Sequence, residues 1–250
     1  GAVTAQNYGS INCGGVKFST NASPSFAATL NTSEVYETEV LLTCANASTL
    51  SGMTLSAPVG QNLVTITGTT TAVTNQNYSG ISSDITFTTT ACPSFAATLK
   101  TTQSYVVTDI LLTCADASTL SGMTLTGSGT VEITGAVTNQ NYGSIDCGGV
   151  TFSTAASPSF APTLKTSEAY TVTGVLLTCA SAATLSGMTL TGTGTVEITG
   201  AVTDQNYGSI DCGGVTFSTA ASPSFAPTLK TSEAYTVTGV LLTCASADTL

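Results

Sequence analysis

Hydrophobic and polar residues alternate along this chain with a period of two, not 3.6, which is the signature of strands with one buried face. Between residues 136 and 200, Val150 and Phe152 share one face, as do Phe160, Pro162 and Leu164, then Tyr170 and Val172, then Val196 and Ile198. Thr and other small residues lie between them. Gly148-Gly149, Ser157-Pro158 and Gly192-Thr193-Gly194 punctuate the pattern as turns or bends. Thr makes up about a fifth of the chain and favours strands, as do Val, Ile, Tyr and Phe, and no helical spacing persists. The pattern predicts an all-β chain with five or six short strands in every 65 residues or so.

The pattern also recurs at long range. Ala2 to Tyr8 returns as Ala72 to Tyr78, Ala136 to Tyr142 and Ala201 to Tyr207, in steps of 70, 64 and 65 residues. The chain therefore reads as four tandem repeats: 1-71, with a six-residue insertion at 57-62; 72-135; 136-200; and 201-250. All sixteen aromatic residues obey the repeat in the order Tyr, Phe, Phe, Tyr, beginning Tyr8, Phe18, Phe26, Tyr36, and are expected in the core. A repeat of this size closes a poor core by itself, and no linker separates one from the next, so the repeats should stack. Two architectures fit: a continuous two-layer array of β-arches, or a solenoid of about three coils per repeat. Leu250 corresponds to Leu185, so repeat four lacks the last strands of the others. We expect a neighbouring molecule to complete it by adding strands at an open edge; a window cut from a longer array is the alternative.

Cysteine follows the repeat too. Cys13 and Cys44, Cys147 and Cys179, and Cys212 and Cys244 lie 31 or 32 residues apart. The chain has no His and no Cys-x-x-Cys, so disulfides are favoured over zinc, and an oxidising exterior follows. In repeat two, Ser83 stands where the first Cys should be, and Cys92 stands where the other repeats have Ser23, Ser157 and Ser222. A straight strand would separate those two positions by about 30 Å. If Cys92 bonds Cys114, the stretch must fold back; otherwise bridges run between repeats or between molecules. Buried thiols are the remaining reading.

Composition removes most other chemistry. There are 4 Lys and Arg together, 14 Asp and Glu, and a net charge of -10, so nothing neutralises the phosphates of a nucleic acid. Without imidazole the usual nucleophile and base arrangement cannot form. The carboxylates are mostly single and repeat-bound, as at Asp146 and Asp211 or Glu132 and Glu197, while Glu34, Glu37 and Glu39 form a cluster without counterparts. No enzymatic activity, metal or cofactor is expected. Mean hydropathy is +0.33 and 42% of residues are apolar, so the chain should fold. No window reaches the ~18 to 20 apolar residues of a membrane helix, and any signal peptide has been removed or lies outside this sequence.

Two surface features remain. Asn21, Asn31, Asn46 and Asn77 head Asn-x-Ser/Thr sequons and are candidates for glycosylation. Thr189, Thr191, Thr193 and Thr195 would fall on one strand face, echoed by Thr124, Thr126, Ser128 and Thr130. Such a face could pair across strands, stack on another sheet or order water as ice-binding solenoids do.

With its recurring Asn-Tyr-Gly-Ser-Ile and Val-Leu-Leu-Thr-Cys-Ala blocks, the Thr/Ser/Ala/Gly-rich, cysteine-bearing array resembles the sheath proteins of filamentous methanogenic archaea. That resemblance implies amyloid-like β-arch rings forming a rigid, resistant tube wall, and it supplies no site motif to carry over. The expected function is an extracellular or cell-surface structural homopolymer that assembles into a filament, tube or sheath by strand pairing and is stabilised by disulfides. A tandem-repeat adhesin stalk or an ice-binding module is the competing reading.

Overall fold

A computed structural model describes residues 1–58, 60–88, 92–218, 220–244, 246 and 248. The chain is all-β and forms a parallel β-solenoid of about 11 turns, divided into two compact units. The stacked, solenoid-like array expected from the repeats is the architecture adopted. Each ladder joins a strand to one roughly a coil later: Val16 pairs with Tyr36 and Tyr36 with Leu55, Val150 with Tyr170 and Tyr170 with Leu190. Parallel pairing requires a crossover of about a dozen residues or more, and here the rest of the coil is that crossover.

The first unit comprises Gly1–Ala115, Met123–Val131 and Ile145–Gly148. One sheet joins Val16–Phe18, Val35–Thr38, Thr54–Ser56 and Ile81–Ser82. A second, six-stranded sheet joins Leu42–Asn46, Val64–Thr71, Ile85–Thr88, Ser104–Thr108, Thr124–Thr126 and Ile145–Asp146. Its inward column runs Leu42, Val64, Ile85, Tyr105, Leu125, Ile145 in unbroken register, and all six are buried. Leu55 pairs with Ile81 across a longer coil, which holds the insertion at 57–62 and the strand Val64–Thr71; Val59 lies outside the described residues.

The second unit comprises Asp116–Gly122, Glu132–Ser144 and Gly149–Leu250. Two parallel sheets run through it. One contains Val150–Ser153, Ala169–Thr173, Thr189–Gly192 and Ile210–Asp211; the other contains Leu176–Cys179, Thr195–Ile198, Val215–Ser218 and Tyr235–Thr238. The chain makes a third side where Gly187 N–H donates to Asn206 C=O at 2.7 Å and Asn206 bridges Thr228.

These registers explain the length of the sequence repeat. Val150, Tyr170, Leu190 and Ile210 are three successive coils of one ladder. Five residues after Ile210, Val215 repeats the sequence of Val150 but lies in the other sheet, between Val196 and Tyr235. One repeat is therefore three coils plus one side, and equivalent residues occupy adjacent sides of the solenoid.

The aromatic quartets pack as core. In each repeat the first Phe meets the second edge-on and stacks on the following Tyr, as in Phe152–Phe160 (5.3 Å, 78°) and Phe152–Tyr170 (5.8 Å, 7°). Such pairs contribute about 0.5–1.5 kcal/mol each beyond burial. Short 3-10 turns at Ala47–Leu50 and Ala182–Leu185 are capped by Asn46 and Ser181. In repeat two, Asp116 accepts from the N–H and hydroxyl of Ser118 at 2.8 and 2.7 Å, bonds that hold its carboxyl below the ordinary range.

Gly192 is required by geometry. It sits at φ +115°, and a Cβ there would fall on the carbonyl oxygen of Val172. The turn it makes corrects the expected four-threonine face: Thr189–Gly192 and Thr195–Ile198 belong to different sheets, so Thr189 and Thr191 do not share a face with Thr195. Gly127 repeats the geometry in the first unit and ends the strand that holds Thr124 and Thr126, so Thr130 starts a new one.

Candidate functional site

The eight cysteines fall into two environments. Cys13 is exposed and Cys147, Cys212 and Cys244 are half-exposed, whereas Cys44, Cys92, Cys114 and Cys179 are buried. The buried thiols point inward from strands: Cys44 is in register with Ile66, and Cys179 with Ile198. Burial pushes the thiols of Cys44 and Cys179 up to about 12. No disulfide forms among the described residues. The expected pairings Cys13–Cys44 and Cys147–Cys179 each join an outer position to an inner one. Cys212–Cys244 is also not formed; Cys244 lies at the end of the strand Leu242–Cys244.

The outer thiols occupy corners. Cys212, Gly213 and Gly214 turn the chain from the Ile210 ladder to the Val215 ladder. Glu233 Oε2 accepts the Cys212 N–H at 2.9 Å, and Glu34 Oε2 accepts the Cys13 N–H at 2.9 Å. The Cys212 thiol is raised, first by burial, with Glu233 and Asp211 adding to it, while a backbone hydrogen bond from Gly214 acts in the opposite direction. Lys230 closes the corner onto Asp211 at 2.5 Å.

Sequence reasoning missed this corner acid. Glu34 is not one of an isolated cluster; Glu168 and Glu233 hold the same position, and Glu34 and Glu168 are both buried. The available signal is internal: repeat two replaces the corner Cys by Ser83 and the acid by Gln103 together. Glu37 and Glu39 are separate, both paired with Lys17 at the surface, at 3.2 and 2.6 Å.

Cys92 is not a displaced corner cysteine. Ser23, Ser157 and Ser222 each accept a backbone N–H at 2.9 Å, from Val3, Val137 and Val202. Cys92 takes the same place and receives the bond of Val73, so it is a sulfur substitute for a buried hydroxyl. Cys92 bridges Leu112 as Ser157 bridges Leu177; residues 89–91, in the stretch that a Cys92–Cys114 disulfide would require to fold back, lie outside the described residues.

Of the sequons, Asn21 is exposed. Asn31 has its amide nitrogen on the Ile11 carbonyl at 2.6 Å. Asn46 and Asn77 direct Oδ1 at the Ser N–H two residues on, at 2.9 and 3.0 Å. The repeat-bound glutamates meet hydroxyls: Ser153 donates to Glu132 at 2.6 Å and Ser218 to Glu197 at 2.5 Å. Among the described residues no group of three or more His, Cys, Asp or Glu is placed to hold a metal. No helix is long and apolar enough to cross a membrane.

The flank of the six-stranded sheet is threonine-rich. Thr43, Thr65, Thr86, Val106 and Thr126 follow one another in register, ending at Asp146. Beside this column Thr88 pairs with Thr108, and Ser104 with Thr124. At the last coil of the second unit, Val237 is 50% exposed and Leu241 70%, while their counterparts one repeat earlier, Val172 and Leu176, are 0% and 38%. Phe217, Phe225, Leu229 and Leu242 line an open cavity of about 550 Å³ there. No family model, curated protein or solved structure matches the chain.

Proposed function

We propose that the chain is an exported structural protein that assembles with copies of itself into a filament, tube or sheath. The observation that carries this reading is the parallel ladder of repeated coils, in which Val150, Tyr170, Leu190 and Ile210 stack in one register, so that each coil offers the next the same kind of apolar column. Val172 and Val237 are the same residue of the repeat, and a coil of a second copy stacked on such a column meets the same apolar side chains that successive coils offer one another. Burying such an edge removes apolar surface at roughly 25 cal/mol per Å². The corner thiols add a covalent route. Two of them on different molecules lose two protons and two electrons to an extracellular oxidant such as dioxygen and gain one S–S bond. Only 7% of the residues are charged, and the net charge of -10 that association must overcome is screened by salt; Asn21 offers a position for a glycan.

The experiment is assembly of the chain beside Val237→Lys and Leu241→Lys, followed by light scattering and electron microscopy. Polymer from the parent chain and its loss in both variants support the reading. A parent chain that stays monomeric, or variants that polymerise equally, overturns it.

A further inference from the structure

We propose that the outer face of the six-stranded sheet in the first unit is an ice-binding plane. Its central column is Thr43, Thr65, Thr86, Val106 and Thr126, one residue per rung. Rungs of a parallel sheet are about 4.8 Å apart, and outward residues two apart along a strand are about 6.6 Å apart. Those two spacings lie close to the oxygen repeats on a prism face of hexagonal ice. Thr86 and Thr88 occupy both columns on one strand, and Thr108 extends the second, so the match runs in two dimensions.

The chemistry of the face suits solid water better than any other ligand. Thr43, Thr65, Thr88, Thr108 and Thr126 make no hydrogen bond from their hydroxyls to other described residues. Each presents a hydroxyl beside a methyl on a stiff β-branched side chain, and Val106 keeps the same branched shape. No charged residue enters the column before Asp146. A single hydroxyl is worth only about 1 kcal/mol net against bulk water, so an isolated threonine binds nothing; a lattice fixed in advance by the ladder gains from many such contacts without ordering costs. A sugar polymer would need exposed aromatic rings, and Tyr78, Phe87, Phe95 and Tyr105 are all buried behind the sheet.

The test is partition of the full chain into a slowly growing ice front, with thermal hysteresis measured on the same preparation. Thr65→Tyr and Thr126→Lys place bulk or charge on the plane; Ala161→Tyr, at an exposed position of the second unit, is the control. Circular dichroism verifies that each variant is folded, and the two face variants lie far enough apart that either alone decides the question. The expected result is enrichment of the parent chain and the control in ice, with loss of enrichment and hysteresis in the face variants. Exclusion of the parent chain from ice, or unaltered binding by a folded face variant, overturns the proposal.

Discussion

The phenol of Tyr142 donates a 2.6 Å hydrogen bond to the backbone carbonyl of Ala117 from within the core. Tyr78 and Tyr207 do the same to Ala47 and Ala182, at 2.6 Å each. A turn at the end of one coil thereby fixes the start of a later one. Tyr142→Phe keeps the ring packing but strands a buried carbonyl, and should cost about 1–3 kcal/mol in urea unfolding. An unchanged midpoint would show that water reaches Ala117.

The serine that accepts the Val137 N–H sets a second expectation. Ser157→Ala removes the hydroxyl that accepts this amide at 2.9 Å and should destabilise by about 1–3 kcal/mol. Ser157→Cys should cost less, because Cys92 already fills the equivalent position. Equal losses in the two variants would contradict the role assigned to Cys92.

Gly192→Ala tests the corner between sides. The new methyl meets Val172 C=O, and φ +115° is strained for any L-residue. The change should destabilise, where Gly→Ala at a compatible position gains about 0.4–1 kcal/mol, and is read as a lower melting temperature. Gly52→Ala, with open space around its Cβ position, should lose less.

Alkali should unfold the chain. Cys44 and Cys179 have folded-state values raised from 9.0 to about 12 by burial, so the folded state holds these protons more tightly than the unfolded one. Their contribution is fully present below about pH 9 and is lost as pH rises toward 12, at about 1.4 kcal/mol per pH unit per thiol. Tyr78 and Tyr207 are raised too, chiefly by burial, and act in the same direction. Stability measured across pH 8 to 11 checks the slope, and Cys179→Ala should reduce it.

Much of the fold is legible in the sequence because it is written in local alternation. Val150 with Phe152 and Tyr170 with Val172 are inward pairs in both the pattern and the structure. The coil is hidden because Val150, Tyr170, Leu190 and Ile210 share a ladder without sharing a sequence; apolar character alone suffices there, so self-similarity appears only after three coils and a side. The corner acid is hidden for a related reason. Glu34 gains its partner, the Cys13 N–H, from 21 residues away, a distance at which no sequence motif operates. The cysteine pairing misleads because even counts and constant spacing also arise when each residue keeps its own place in a repeated coil.

Sedimentation velocity of the full chain over a wide concentration range, with and without reductant, tests self-assembly most directly. Association at an open edge with thiol cross-links predicts large species that grow with concentration and shrink when reductant is added. A single elongated monomer, unchanged by concentration or by reductant, would contradict it.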